Sequence, residues 1–197
     1  MMNKPYAESC QQNQHVILDV LLKEFAQREH VLEIGSGTGQ HAVFFAPQMP
    51  HLDWQCSDRI SELAGINAWL SDDKSTNLLV PIELDVMTSQ WPEQQYDAVF
   101  SANAVHIMPW HAVEAMFNGL QGCLADNASV CLYGPFNYQG KFTSDSNARF
   151  DQWLKQRDPL SGIRHFEDIN NLAEQCGLRL KEDYAMPANN RILCWHK

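Results

Sequence analysis

Basic residues are scarce in this chain. Lysine and arginine number 14 against 24 aspartates and glutamates, a formal charge of −10 at pH 7. A non-specific hold on nucleic acid or on an anionic membrane surface requires the opposite balance, and the few basic residues form no cluster. Long apolar runs are missing too, since none approaches the ~20 residues of a membrane span. The opening MMNKPYAESCQQNQ lacks the apolar centre of a secretory leader. The six cysteines, at 10, 56, 123, 131, 176 and 194, form no CxxC pair. That pattern argues against a disulfide frame or a zinc site and leads us to expect reduced, mostly buried thiols in a cytoplasmic protein. The histidines show no ligand spacing, so no metal is implied. There is no internal repeat, low-complexity tract or linker. What remains is 197 residues of ordinary globular composition, 45% apolar and 19% charged, enough for one well-cored domain.

Apolar periodicity divides that domain into alternating elements. Val16, Ile17, Val20, Leu21 and Phe25 recur at helical spacing, and His30–Ile34 follows as a strand. Helices are expected over 40–48, 60–70, 110–124, 146–156 and 166–176. Further strands are expected over 52–57, 78–84, 96–102 and 129–133. The last two, 179–185 and 191–196, are joined by Pro187-Ala188-Asn189-Asn190 and should pair as a hairpin. Strands alternating with helices imply crossover units and a mainly parallel sheet with helices on both faces, a three-layer α/β sandwich. Such sheets bind ligands beyond the carboxyl ends of their strands.

The first strand runs into VLEIGSGTGQHA, with Gly35, Gly37 and Gly39 at alternate positions. Glycine takes positive φ and lets a ligand approach bare backbone. Three ligand classes suit such a loop: a nicotinamide dinucleotide, a nucleotide phosphate and S-adenosylmethionine. The dinucleotide fingerprint places a small residue sixth, where Gln40 stands here. No Gly-Lys-Ser/Thr follows, which excludes a P-loop. Glu33, two residues before the first glycine, would repel a pyrophosphate and suits a ligand with an ammonium or sulfonium charge. Asp58 closes the second strand, where a carboxylate can accept both hydroxyls of a ribose. Asp85 closes the third, where it can meet an adenine amino group. Either aspartate alone reads as a turn or cap residue; together with Glu33 and the glycines they favour S-adenosylmethionine.

With these pieces on one chain, the sequence resembles a class I S-adenosylmethionine-dependent methyltransferase. VLEIGSGTG is similar to that superfamily's first motif, Asp58 to its second, LDV to its third and YDAVFSANAVHIMPW to its fourth-strand motif. More particularly, GSGTGQHA, WQCSD, SANAVHIMPW, LYGPFNYQG, SNARFDQWLKQRDP, GIRHFEDI and MPANN resemble the family containing methyltransferase-like protein twenty-six, from about residue 7 onward. The resemblance implies the Rossmann-like methyltransferase fold: a seven-stranded sheet of order 3-2-1-4-5-7-6 with its last strand antiparallel. It implies an organisation in which residues 1–28 form a lid segment and helix and 29–197 the cofactor-binding domain. The cofactor-binding set then reads Glu33, Gly35, Gly37, Gly39, Asp58, Asp85 and Asn103. A substrate is not implied.

The remaining motifs define a candidate acceptor site. The fourth-strand exit has Asn103-Ala104-Val105-His106 in place of Asn/Asp-Pro-Pro-aromatic, and there is no Pro-Cys nucleophile; both absences argue against nucleic-acid or amide acceptors. His106, an imidazole expected to titrate near neutrality, is a candidate base or acceptor-positioning donor, and Tyr133, a hydroxyl at the end of a buried strand that needs a partner, is the second catalytic candidate. Trp110, Phe136, Asn137 and Tyr138 are candidates for pocket walls, and Arg149 for binding a substrate carboxylate. Asn189 in the hairpin tip, and Tyr6 and Asn13 in the polar stretch before the first helix, complete the set. Ser146 and Asn147 read as helix caps, and His41 as structural. The expected function is methyl transfer to a small molecule, a cationic or zwitterionic metabolite among the candidates, at N, O or S. The alternatives are a catalytically silent S-adenosylmethionine-binding module acting through a protein partner, and a nicotinamide oxidoreductase, against which Gln40 and the terminal hairpin argue. The oligomeric state is left open.

Overall fold

The structure, a computed structural model, describes residues 4–88 and 90–197. Seven strands form one sheet: β1 (His30–Ile34), β2 (Asp53–Asp58), β3 (Ile82–Glu83), β4 (Tyr96–Ala102), β5 (Leu124–Gly134), β8 (Arg179–Met186) and β9 (Asn190–His196). A further pair, β6 (Phe136–Asn137) and β7 (Arg164–His165), lies apart from it. The main order is β3-β2-β1-β4-β5-β9-β8. β1 pairs in parallel with β2 and β4, and β4 with β5, whereas β9 runs antiparallel to both β5 and β8. Counted within this sheet, that is the expected 3-2-1-4-5-7-6 order with the last strand reversed.

Among the described residues six α-helices cover the sheet: α1 (Glu8–Glu24), α2 (Gln40–Phe45), α3 (Ile60–Leu70), α4 (Trp110–Cys123), α5 (Asp145–Arg157) and α6 (Phe166–Gln175). The central strands are apolar on both sides, as a doubly covered parallel sheet requires. Val31, Ala98 and Phe100 face a core with α1 and α2, built around Ile17, Leu21, Phe45 and Trp54. Leu32, Ile34 and Val99 face the opposite core, with Val113, Met116, Phe117 and Leu120 of α4 and Ile169 and Ala173 of α6.

Several boundaries differ from expectation. α1 begins at Glu8, about two turns before the first apolar residue of its stripe. The third strand shrinks to Ile82–Glu83 plus a single bridge between Trp54 and Leu78, because Pro81 interrupts it with no N–H to donate. β5 starts at Leu124, and Phe136–Asn137, expected in a loop, forms β6. The cap of α5 is Ser144, whose side chain accepts from Asn147 N, and not Ser146.

Candidate active site

The carboxyl ends of β1, β2 and β4 converge on the glycine loop. Gly35 N and Ser36 N both donate to Ser57 O at 3.0 Å, tying the loop to β2. Gly35, Gly37 and Gly39 have φ of 71°, 57° and 83°, a region that costs side-chain-bearing residues about 1–2 kcal/mol. A Cβ on Gly35 would lie 3.0 Å from Ala104 Cβ, so the loop sits directly against the β4 exit. A Cβ on Gly37 would meet nothing within 4 Å: here bare backbone faces open space.

Asp58 Oδ2 accepts from Gly37 N and Oδ1 from Arg59 N, each at 2.8 Å. Burial raises its pKa, opposed by those two bonds. It stands half-buried at the strand end with acceptor capacity to spare. Asp85 takes Met87 N at 3.0 Å. Glu33 is buried. Its Oε2 accepts from Trp54 Nε1 and Ser36 Oγ, both at 3.0 Å, and from the Cys56 thiol at 3.6 Å. Burial pushes its pKa up, and these donors oppose the rise. Glu33 therefore holds the loop from beneath, and its influence on a cationic ligand is exerted from a carboxylate already bonded within the protein.

The segment before α1 crosses this loop. Lys4 Nζ pairs with Asp72 at 2.5 Å, and Trp69 Nε1 donates to Pro5 O at 2.6 Å. Ala7 N donates to Gln40 Oε1 at 2.6 Å, and Thr38 Oγ1 donates to the same oxygen at 3.0 Å. Cys10 lies beside Thr38 and Glu33; burial and then the Glu33 carboxylate push its thiol up to about 11. Gln40, the departure from the dinucleotide fingerprint, is thus the residue that fastens the leading segment to the glycine loop.

Beside the loop opens a cavity of about 470 Å³. Asn103, His106 and Ile107 line it from the β4 exit, Tyr133 and Pro135 from the β5 exit, and Phe150 and Trp153 from α5. Ser9, Gln12, Asn13 and Val16 of α1 and Pro187, Ala188 and Asn190 of the terminal turn complete it. No aspartate, glutamate, lysine or arginine is among these lining residues. Asn103 takes φ 60° and donates its N–H to Tyr133 O at 2.8 Å, which draws the two strand exits together. His106 is 2% exposed, and its Nδ1 is buried without a hydrogen-bond partner. Burial first, then the Arg164 charge, pushes its pKa down to about 4. The expectation of titration near neutrality is corrected, because a buried imidazole without an acidic neighbour resists protonation. Tyr133 is pushed upward by burial, opposed by hydrogen bonds with the Asn13 and Asn190 side chains, and stays a protonated hydroxyl.

Asn13, Asn103, His106 and Tyr133 therefore meet in one place, and several other expected residues do not. Trp110 lines a separate cavity with Lys155, Arg164 and Asp168. Phe136 is fully buried core. Asn137 is buried with Oδ1 unpartnered, outside the cavity lining. Tyr138 stacks on Phe166 and donates to Asp183 at 2.8 Å. Arg149 faces solvent. Asn189 points its amide at Ser146 at 3.3 Å, while its neighbours Ala188 and Asn190 line the cavity. Tyr6 is exposed and hydrogen-bonded to Gln11. His41 bonds Asn13 at 2.8 Å, and burial lowers its pKa to about 4. The aromatic wall Phe150–Trp153 is not among the residues expected from sequence; its one sequence signal is two aromatics three apart on a helix, which reads equally as core packing.

The order and reversal of the strands, with the glycine loop at the end of β1, define the Rossmann-like methyltransferase fold. A family model described as "Protein of unknown function (DUF938)" matches residues 4–197, and the chain belongs to that family. Among solved structures it is similar to an O-methyltransferase family protein from Burkholderia thailandensis: TM-score 0.84, 12% identity, 96% of this chain and 57% of that one. It is similar to the S-adenosylmethionine-dependent methyltransferase SibL in its apo form, at TM-score 0.81 and 18% identity over 96% of this chain and 55% of the other. It is also similar to human N-acetylserotonin methyltransferase in complex with SAM, at TM-score 0.80 and 13% identity over 96% and 53%. The chain spans about half the length of these proteins, and at such identities the likeness is one of fold.

Proposed function

We propose that this protein is an S-adenosylmethionine-dependent methyltransferase acting on a small, uncharged acceptor. The observation that carries the reading is the juxtaposition of two sites. Bare glycine backbone with carboxylates at successive strand ends adjoins, through the Gly35–Ala104 contact, a cavity lined by His106, a buried histidine whose Nδ1 has no hydrogen-bond partner. The residues fit the cofactor: Gly37 leaves open the space a side chain would fill, and Asp58 stands ready for a pair of hydroxyls. Asp85 and Asn103 complete the set, and Glu33 braces the loop. In this reading Lys4–Asn13, which Gln40 fastens to the glycine loop, serves as the lid. The closer resemblance of SANAVHIMPW and MPANN to the family containing methyltransferase-like protein twenty-six accords with this reading.

When bound, S-adenosylmethionine supplies an electrophilic methyl group on a sulfonium. The chain's own contribution is positioning, which can be worth roughly 7–11 kcal/mol of barrier. Neutral His106 accepts a hydrogen bond from the acceptor's O–H or N–H, and Tyr133 donates one. An imidazole with a pKa near 4 is a weak base, so its first role is to orient the acceptor's lone pair. The lining offers no carboxylate to a cation. Phe150 and Trp153 are stacked on each other and Trp153 also carries the Arg157 guanidinium, so these rings form no free cage. An uncharged body fits such walls better than the cationic metabolite considered from sequence.

Calorimetry and thermal shift with S-adenosylmethionine, S-adenosylhomocysteine and NAD test the reading. The first two should stabilise the fold, by roughly 2.7 kcal/mol at a hundred times Kd, and NAD should not. Label from methyl-labelled cofactor should pass into a metabolite extract and cease to do so in His106→Ala and Tyr133→Phe with cofactor binding intact. No heat with either adenosyl ligand would overturn the proposal; binding without transfer would leave the silent module.

A further inference from the structure

Four consecutive backbone carbonyls of the β4-exit loop are held by one short segment that does not itself line the acceptor cavity. Arg164 Nε donates to Val105 O at 3.0 Å, Gly162 N to His106 O at 2.9 Å and Ser161 Oγ to Ile107 O at 2.7 Å. Arg164 Nη2 donates to Met108 O and, at 2.9 Å, to Leu160 O. Loop carbonyls of this kind ordinarily turn to water; here every one from residue 105 to 108 is bonded to residues 161–164.

The segment is anchored in turn. Ile163 N donates at 2.8 Å to Oδ1 of Asp151, a buried α5 carboxylate whose other oxygen takes Lys155 Nζ at 2.6 Å. A Cβ at Gly162 would stand 3.0 Å from Asp151 Oδ1 and 3.1 Å from Lys155 Cε, so only glycine passes there without displacing the anchor. Arg164 and His165 then pair with Phe136 and Asn137, just beyond Pro135. Residues 161–165 therefore touch three of the five chain stretches that wall the cavity: the β4 exit, the β5 exit and α5.

The His106 ring needs such support. Its Nδ1 has no hydrogen-bond partner, and its ring approaches Phe150 edge-on with centroids 5.5 Å apart. Arg164 commits most of its guanidinium to the β4-exit loop: among the described residues its hydrogen bonds all go to carbonyls and it forms no ion pair, while its Cζ also lies 6.0 Å from the Trp110 ring centroid. A lysine cannot span Val105, Met108 and Leu160 with one ammonium. The second cavity, about 410 Å³ and lined by Trp110, Lys155 and residues 162–165, lies on this side of the clamp.

We propose that Arg164 and Ser161 are positioning residues for His106, a clamp that sets the imidazole's direction in the acceptor cavity from outside it. The proposal rests on the methyltransferase reading for its rate consequence, but not for its structural content.

The test uses Ser161→Ala, Arg164→Lys and Arg164→Gln in the full chain. All three should bind S-adenosylhomocysteine with the parent's Kd, because no clamp residue touches the glycine loop. Transfer from methyl-labelled cofactor into a metabolite extract should fall on the order of 10²-fold in Arg164→Gln, with partial recovery in Arg164→Lys. The imidazole resonances of His106 should shift in all three variants. Its titration midpoint should rise only in Arg164→Gln, which removes the cation; a merely structural arginine would move thermal stability without that split. Ser161→Ala loses a single hydrogen bond and keeps the proposal testable should the arginine variants fail to fold. His106 resonances and transfer both unchanged in Ser161→Ala and Arg164→Lys would overturn the clamp. If the parent binds no adenosyl ligand, the functional reading falls, and the imidazole resonances alone still decide whether the clamp sets the ring.

Discussion

Gly35 and Gly37 form a controlled pair. Both have positive φ, 71° and 57°, so alanine at either carries a similar backbone cost of about 1–2 kcal/mol. Their surroundings differ. An added methyl at 35 meets Ala104 Cβ at 3.0 Å, whereas at 37 it meets nothing within 4 Å. Overpacking of that kind costs about 1–3 kcal/mol, so Gly35→Ala should be the less stable variant by about that amount, measured by urea denaturation. The order should invert for the ligand. The space beyond Gly37 is where the cofactor would contact backbone, so Gly37→Ala should lose at least tenfold in S-adenosylhomocysteine affinity, about 1.4 kcal/mol. Calorimetry on the folded variants reads this directly. Undiminished binding in Gly37→Ala would refute the idea that bare backbone forms the cradle. Equal stability of the two variants would refute the steric coupling between the glycine loop and the β4 exit.

Two predictions concern the buried charges and histidines. Glu24, 4% exposed, accepts from Tyr184 at 2.8 Å and from Lys181 and His196 at 3.1 Å, binding α1 to the terminal hairpin. Burial alone would raise its pKa, but the three donors together lower it. Its contribution is therefore present above the unfolded carboxylate's pKa and is lost as pH falls through the lower folded value. Glu24→Gln should cost about 1.5–3 kcal/mol at pH 7, toward the low end because the Lys181 side chain is 46% exposed, and should lose less than the parent on going to pH 3 in urea titrations. His41 and His106, each held at about 4 by burial, bind fewer protons folded than unfolded. Each should remove roughly 2 kcal/mol of stability between pH 7.5 and pH 5, with Glu33, raised by burial, acting in the opposite sense. His106→Gln should flatten its share of that slope, and an unchanged slope would contradict a neutral buried ring.

Much of this molecule could be read from residue order because the relevant forces are local. The alternation of apolar runs, the glycines at 35, 37 and 39 and the carboxylates closing successive strands all sit within single strand-to-helix turns. Their register follows from short-range patterning. The start of α1 is not legible in the sequence because its first two turns carry no apolar stripe: Ser9, Gln12 and Asn13 line a cavity. Gln40 told against a dinucleotide from sequence, yet its bond to Ala7 N depends on a segment 33 residues away. Trp110, Tyr138 and Arg149 have the right chemistry for an acceptor site and the wrong direction, since a helix or loop residue's facing is set by what packs behind it.

Residue order alone therefore determined the alternating strands and helices, the terminal hairpin and the glycine loop, because periodicity and turn chemistry act over a few residues at a time; the strand order came with the family resemblance. The tertiary structure alone decided which aromatic rings wall the cavity, that the cavity carries no charge, that His106 stays neutral, and that residues 161–164 hold the loop bearing it. Those properties arise from burial and from hydrogen bonds between groups more than fifty positions apart, and no local pattern encodes the dielectric around a side chain or the partner of a distant carbonyl.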